Sequence, residues 1–437
     1  MSKKLAIIGG GITGLTCAYK LQEKYQITLF EKENEFGGQA KTVVSNGIPV
    51  ESAVSVLGKL TYTEFYKLMN ELAYKNLKPY KINGFHAHHR NKTRLYIDTN
   101  LHRQLRLLPK YLLDSPASLL RPWLLISFFN RLHSDYLAGK LDNVLVPEAY
   151  KLYPEYENLI TTVLTILGLI TAVEVEEVTI EHILNFIFDF DNNDANSHPT
   201  FHLLKMFRQV QAAENGVSEY IRLLKSSSKG CFIKNTEIIR VKRNQDSTLT
   251  VIDKSGHKQV FDKVIIATQP FHIAAFLECK DGEEERRFAE LSTLTTSSLV
   301  TNHIDAEIFQ NIKSTKGLVD YRLDGDGTSS QVTISRKNHY YTAQTLPKRI
   351  QLRRIPNSKF IDTAISKDNY SIKANKILSQ HIQTVPHITP QTSKLFDLIL
   401  KGSGEDNLHF ACAALSNYPT SQEGGVRSAL RVIEELI

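Results

Sequence analysis

Three glycines and a glutamate near the start of the chain have the types and spacing of a dinucleotide-binding turn. Gly9, Gly11 and Gly14 follow an apolar run of strand length and open a helical pattern. The first glycine permits a tight turn, the second lets the backbone approach a pyrophosphate, and the third allows close helix–strand packing. Glu31 ends a second strand pattern, where its carboxylate can accept hydrogen bonds from ribose hydroxyls and disfavours a 2′-phosphate.

The residues that follow Glu31 distinguish FAD from NAD. They read E-K-E-N-E-F-G-G-Q-A-K-T, and their Gly-Gly pair lets a second loop approach the pyrophosphate. In this motif the chain resembles the flavin-containing amine oxidase superfamily, which includes monoamine oxidases, protoporphyrinogen oxidase and the phytoene-type desaturases. Within it, the chain is most similar to a bacterial subgroup of amine-oxidase-like proteins predicted to bind NAD or FAD. Those proteins usually carry arginine where this chain has Gln39, so the resemblance leaves the chain without that positive phosphate contact.

Two later segments extend the resemblance to the middle and end of the chain. Phe261–Pro270 is similar to the strand with which these flavoproteins re-enter their FAD domain, and Glu423–Ala429 to the start of their last helix. The N-terminal amides of that helix face the flavin pyrimidine carbonyl and stabilise charge on the reduced ring. The motifs and the resemblance together imply FAD as the cofactor, with these binding residues: Gly9, Gly11, Ile12, Thr13, Gly14, Glu31, Lys32, Gly38, Gln39, Ile238, Thr268, Glu423 and Val426.

The chain is too long for one compact core, so two interleaved domains are expected. The predicted fold class is α/β: a Rossmann-type FAD-binding domain (GR2-like) interleaved with an α+β substrate domain that contains a mixed sheet and a helical insert. Residues 1–60, 216–275 and 400–437 are assigned to the FAD-binding domain. Residues 61–215 are assigned to the mostly helical part of the substrate domain, and 276–399 to its sheet.

Composition and charge are those of an ordinary globular protein. Hydrophobic residues make up 42% and charged residues 23%, and the formal charge of +7 is scattered, which argues against a nucleic-acid partner. Four widely spaced cysteines fit a reducing compartment. No signal-peptide pattern and no apolar stretch of transmembrane length are found, so a cytoplasmic location is expected.

One segment, Leu105–Leu132, is rich in leucine and aromatic residues beside cations. It is either a buried helix pair or a peripheral contact with membrane or lipid.

Catalytic side chains are not assigned, because in such enzymes the flavin ring itself accepts the hydride. His86 and His88 would share one strand face, but no further ligand has suitable spacing, so no metal is predicted. His303 and Tyr62 are candidates for the substrate cavity. The resemblance implies two tyrosines around the substrate in monoamine oxidases, whereas the matching segment here offers only a displaced Tyr418.

Three functions remain open. The favoured one is an FAD-dependent oxidoreductase that removes a hydride from an apolar organic substrate, lipid- or polyene-like, with flavin as acceptor. Its support is the apolar helical insert and the lack of a clear aromatic cage for an amine. The alternatives are a flavin amine oxidase that releases aldehyde and hydrogen peroxide, and a redox-neutral or structural FAD-binding protein. The sequence indicates neither the substrate, the final electron acceptor nor the oligomeric state.

Overall fold

A computed structural model gives the fold of this chain. The residues that it describes are 2–45, 48–51, 57–79, 84–89, 92–98, 121–156, 179–180, 209–292, 294, 296–305, 318–323, 329–333, 349–354, 377–386, 388–416, 418 and 421–437. The described strands are β1 (Lys3–Ile8), β2 (Tyr25–Phe30), β3 (Thr42–Ser45), β4 (Ile48–Glu51), β5 (Leu57–Gly58), β6 (Leu77–Pro79), β7 (Gly84–His89), β8 (Lys92–Asp98), β9 (Val210–Ala213), β10 (Cys231–Ile233), β11 (Ile238–Arg243), β12 (Leu249–Asp253), β13 (Lys258–Phe261), β14 (Lys263–Ile266), β15 (Thr296–Asp305), β16 (Leu318–Leu323), β17 (Ser329–Thr333), β18 (Arg349–Arg354), β19 (Ile377–Pro386) and β20 (Leu408–Phe410). The described α-helices are α1 (Ile12–Leu21), α2 (Thr63–Glu71), α3 (Arg121–Leu137), α4 (Val146–Leu152), α5 (Val217–Ser226), α6 (Gly282–Ser292), α7 (Pro390–Lys401) and α8 (Gln422–Leu436).

Five strands form a parallel sheet in the order β10–β2–β1–β14–β20. Their sequences are nearly uninterrupted apolar runs, as parallel strands covered on both faces require, and Leu5, Ala6 and Ile7 of β1 are fully buried. The strands come from three stretches that are far apart in the chain. This sheet confirms the predicted α/β class with a Rossmann-type domain, while the domain boundaries given above stay predictions.

Alternate residues of β1 point to opposite faces of the sheet and join two layers of core. Leu5 and Ile7 belong to a cluster with apolar residues of α1, α2, α5 and α8. Ala6 and Ile8 belong to a second cluster, with the three-stranded sheet β11–β12–β13 and helices α6 and α7. Because β1, β2, β14 and β20 are parallel, their carboxyl ends meet at one edge, between these two layers. Ligands of such folds bind at that edge.

A second, seven-stranded sheet has the order β19–β15–β18–β17–β16–β7–β8. It is mixed, because β16 and β7 are parallel while the other neighbouring strands are antiparallel. His86 and His88 fall on β7 and His303 on β15, but their side chains lie outside the described part of the structure, so their roles stay predictions.

Helix α3 covers part of the predicted helical insert. Phe128, Phe129 and Leu132 are buried and pack near Tyr153, which donates a hydrogen bond to Asp135 at 2.8 Å. Residues 105–120 of the proposed lipid-contact segment lie outside the described residues. Within the described ranges, no helix has the length and apolar character needed to cross a bilayer.

Candidate functional site

The turn between β1 and α1 leaves no room for side chains at two of its glycines. Gly9 has φ +111°, and a Cβ there would lie 2.7 Å from the carbonyl oxygen of Ala267, just after β14. A Cβ on Gly14 would overlap the carbonyl oxygen of Gly9. The protein's own packing therefore requires both glycines, one for the turn and one for the helix–strand contact.

Gly11 differs from these two because open space adjoins it. A Cβ there would have no neighbour closer than Cα of Gly38, at 3.9 Å. Gly37 donates its N–H to the carbonyl oxygen of Gly10 at 2.8 Å, and Gly37 and Gly38 have φ +124° and +57°. Two loops without side chains thus run alongside each other next to the N-terminus of α1. Backbone amides at a helix N-terminus beside such a gap suit a diphosphate.

The N-terminus of α8 lies against that of α1. A Cβ on Gly425 would come within 2.7 Å of Cγ2 of Ile12 and 3.0 Å of Oγ1 of Thr13. Ser421 caps α8 by accepting a hydrogen bond from the N–H of Gly424 at 2.9 Å. The positive dipole ends of two helices therefore lie together beside the gap between Gly11 and Gly38, hereafter the slot, where they favour negative charge.

The side chain of Glu423 is fully buried and joins α8 to α2. Its carboxylate accepts hydrogen bonds from the N–H groups of Phe65, at 2.8 Å, and Glu64, at 3.1 Å, and from Nε of Arg427, at 2.6 Å. What Glu423 can offer a cofactor is therefore its backbone. In the sequence, the four-residue spacing of Glu423 and Arg427 predicts an ion pair, but no local pattern indicates the link to α2.

The side chain of Glu31, the predicted ribose ligand, is buried beside the turn between β1 and α1. Its Oε2 accepts a hydrogen bond from the N–H of Gly10 at 2.7 Å, and its Oε1 accepts one from the N–H of Glu33 at 2.9 Å. A carboxylate has about four acceptor positions, so two bonds leave capacity for ribose hydroxyls.

An unsatisfied hydroxyl lies at this edge of the sheet. Oγ1 of Thr268 is buried without a hydrogen-bond partner among the described residues, and a Cβ on Gly9 would lie 3.4 Å from Cγ2 of the same residue. Buried polar atoms are nearly always paired, so an orphan here is what a bound ligand would explain. Burial lowers the pKa of His272, and the charge of the exposed Lys32 lowers it further. The orphaned hydroxyl and the side-chain-free slot both fit FAD.

The remaining predicted binding residues have diverse surroundings. Gln39 donates its side-chain amide to the carbonyl oxygen of Thr384, on β19, at 2.9 Å. The side chains of Ile238 and Val426 are buried in the two core clusters, so any cofactor contact of theirs comes from the backbone. The binding roles assigned to individual residues stay predictions.

Both candidate cavity tyrosines are packed against protein. The ring of Tyr418 is 1% exposed, and the guanidinium of Arg427 lies 4.3 Å from its centroid. Tyr62 is 6% exposed, with its ring 6.2 Å from that of Phe65. Neither ring stands free to hold a substrate amine. Among the described residues, no group of three side chains could ligate a metal.

A family model described as flavin containing amine oxidoreductase matches residues 12–306 of this chain. The chain belongs to that family. It is an FAD-dependent oxidoreductase, and the predicted cofactor is confirmed at the level of the family.

Sequence similarity to two curated relatives is confined to short stretches. Coproporphyrinogen III oxidase of Staphylococcus aureus is 38% identical over 76 residues, which are 17% of this chain and 15% of that protein. Protoporphyrinogen oxidase 2, chloroplastic/mitochondrial, of Arabidopsis thaliana is 38% identical over 47 residues, 10% of this chain and 9% of that protein. The matches thus span less than a fifth of either relative.

Solved structures resemble the chain over its whole length. A putative protoporphyrinogen oxidase from Exiguobacterium sp. 255-15 has a TM-score of 0.68 at 17% identity, covering 100% of this chain and 99% of the other. A CLA-producing fatty acid isomerase from P. acnes has a TM-score of 0.69 at 14% identity, with the same coverage. A putrescine oxidase variant has a TM-score of 0.68 at 12% identity, again with 100% and 99% covered. At such identities these likenesses establish the shared fold.

Proposed function

We propose that this flavoenzyme removes a hydride from an apolar organic substrate, lipid- or polyene-like, with FAD as the acceptor. The observation that carries the proposal is the environment of Tyr418. Tyr418 is the displaced aromatic candidate that the matching segment offers for an amine cage, and the guanidinium of Arg427 lies 4.3 Å from the centroid of its buried ring.

The chain's own residues would bind and orient rather than react covalently. The backbone at Gly11 and Gly38 would hold the diphosphate, and Glu31 the ribose. FAD, when bound, supplies the hydride acceptor. The amides at the N-terminus of α8 would favour negative charge on the ring as the hydride arrives. An apolar substrate needs no charged partner in the cavity. The reaction therefore does not require a tyrosine ring that is accessible to the substrate.

The names of the similar proteins are divided between amine and non-amine substrates. Two are oxidases of porphyrinogens and one is an isomerase of a fatty acid. A putrescine oxidase of the same fold represents the competing amine chemistry.

Anaerobic mixing of the FAD-loaded protein with substrate panels tests the proposal. We expect fatty acids, polyenes or porphyrinogens to bleach the flavin absorbance and a matched amine panel to leave it unchanged. Bleaching by amines, followed by aldehyde and hydrogen peroxide when air is admitted, would make the protein an amine oxidase instead. If dithionite alone bleaches the flavin, a redox-neutral isomerase or a structural role for FAD replaces the proposal, and product analysis of a fatty acid decides between these two.

We further propose a cytoplasmic location with peripheral contact to membrane lipid through α3 and α4. Leu137 of α3 is 57% exposed and Leu152 of α4 is 46% exposed, with Lys140 and Lys151 close to them in the chain. Exposed leucine beside lysine favours anionic bilayer surfaces. We expect flotation with vesicles containing phosphatidylserine, and a reduced floating fraction for Leu137→Glu. Ser134→Glu, which adds the same charge on the same helix without removing a leucine, is the control. Equal flotation of Leu137→Glu and Ser134→Glu would show that Leu137 does not contribute to membrane contact.

A further inference from the structure

Gln39 connects the cofactor slot to the seven-stranded sheet. It directly follows Gly38 of the slot, and its side-chain Nε2 donates to the main-chain oxygen of Thr384, 345 residues further along the chain, at 2.9 Å. Thr384 lies on β19 and pairs with Ser298 of β15, a strand of the predicted substrate domain. The side chain of Gln39 therefore bridges the loop beside the candidate diphosphate site and the seven-stranded sheet.

The turn around Gln39 is internally compact, so a displacement of the whole loop carries this side chain with it. Ala40 is buried and donates its N–H to the carbonyl oxygen of Gly37 at 2.9 Å. The N–H of Lys41 donates to the carbonyl oxygen of Gln39 at 3.1 Å. A Cβ on Gly37 would lie 2.8 Å from the oxygen of Ala40, so the turn has little freedom to adopt another conformation.

The chemistry of the side chain suits a structural bond to a carbonyl. Glutamine is neutral, so its hydrogen bond to a diphosphate would be weaker than that of an arginine. Its side-chain amide is a suitable donor to a main-chain carbonyl oxygen. Because that acceptor belongs to the backbone of β19, the bond holds the strand itself rather than one exchangeable side chain.

We propose that Gln39 is a positioning residue that couples FAD binding to the placement of β19. FAD restrains the loop at Gly37 and Gly38, and the amide of Gln39 passes that restraint to Thr384. By reciprocity, holding β19 in place favours the loop conformation that receives FAD. The inference depends on the cofactor and is independent of the substrate class proposed above.

Hydrogen–deuterium exchange of the full chain, with and without FAD, tests this coupling. In the wild type, FAD should slow exchange of residues 377–386 by about two- to tenfold, the range that one neutral hydrogen bond can transmit. Gln39→Leu keeps the size and removes the donor, so the FAD-dependent part of the protection should disappear. Because the coupling is reciprocal, FAD affinity of this variant, from a fluorescence titration, should fall by about the same two- to tenfold and no more. Residues 263–266 of β14 serve as an internal reference, because their response to FAD should be equal in both proteins.

A matched control separates the coupling from a phosphate contact. Gln39→Arg keeps N–H donors, so it should retain the FAD-dependent protection of β19. The proposal is overturned if Gln39→Leu keeps that protection. It is also overturned if Gln39→Leu weakens FAD by about tenfold or more while β19 responds normally, since Gln39 would then contact the diphosphate. A residue that only stabilises the fold would change exchange of β19 equally with and without FAD. If Gln39→Leu does not fold, Gln39→Ser, which is too short to reach Thr384, takes its place with the same expectations.

Discussion

At the scale of single residues, Gly11 and Gly14 are glycine for different reasons. Gly14 has no room for a Cβ because the carbonyl oxygen of Gly9 occupies that space. Gly11 has φ −73°, which any residue adopts, and open space where its Cβ would point. The protein's own packing therefore leaves room for a methyl group at Gly11, whereas a diphosphate bound in the slot would exclude it.

This contrast gives a pair of matched substitutions. Gly11→Ala should leave the unfolding free energy of cofactor-free protein within about 0.5 kcal/mol of the wild type, yet weaken FAD by about 1–3 kcal/mol through overpacking. Gly14→Ala should lower that unfolding free energy by about 1–3 kcal/mol or more. Urea unfolding of the deflavinated proteins and a fluorescence titration with FAD measure the two quantities. Wild-type FAD affinity in Gly11→Ala would show that the diphosphate binds elsewhere.

At the scale of elements, the carboxylate of Glu423 holds two helix ends together. It caps α2 through the N–H groups of Glu64 and Phe65 while pairing with Arg427 on its own helix. Thr63, which begins α2, also accepts a hydrogen bond from Arg427, at 3.1 Å. The anion-binding end of α8 is thus fixed by an acidic side chain that points away from the slot and into α2.

Removing this carboxylate should strongly destabilise the protein. Glu423→Ala leaves a largely buried guanidinium and uncapped amides, so we expect a loss of about 3–5 kcal/mol in unfolding free energy. Glu23→Ala is the control, because the Glu23–Lys229 pair is 73% and 74% exposed and such pairs contribute about 0–1 kcal/mol. Urea denaturation at neutral pH measures both. Similar losses in the two variants would show that the buried link contributes no more than a surface pair.

At the scale of the whole molecule, local patterns predict the fold and half of the site. The apolar runs and the glycine spacing predict β1, α1, β2 and the slot between Gly11 and Gly38, because each of these depends on neighbours in sequence. The contacts of Gln39 and Glu423 with other parts of the fold could not be predicted in this way. The side chain of Gln39 bonds to a residue 345 positions away, and that of Glu423 bonds to α2, about 360 positions away. Such contacts depend on how layers stack, and no sequence period or motif encodes them.

The closing strand of the parallel sheet carries a buried histidine that should make stability depend on pH. His409 on β20 is 2% exposed; its Nδ1 lies 2.9 Å from Oε2 of Glu435, and its Nε2 has no hydrogen-bond partner among the described residues. Burial lowers the pKa of His409, opposed by Glu435 and assisted by the positive charges of Lys263 and Arg431. The folded chain therefore holds this imidazole neutral at a pH where the unfolded chain already binds a proton.

The sign of the effect follows from proton binding. Below the unfolded pKa of about 6.5, the unfolded state binds more protons at this site, so the stability contributed by neutral His409 is complete above that pH and is lost as the pH falls. We expect the urea midpoint of the wild type to decrease between pH 7.5 and 5.5, and His409→Gln to show a smaller decrease, even if it is less stable at pH 7.5. Expressed as unfolding free energy against pH, the slopes of the two proteins can differ by at most about 1.4 kcal/mol per pH unit, the value for one proton. Parallel pH profiles for the two proteins would mean that His409 takes up its proton equally well when folded, and that its buried Nε2 has found a partner.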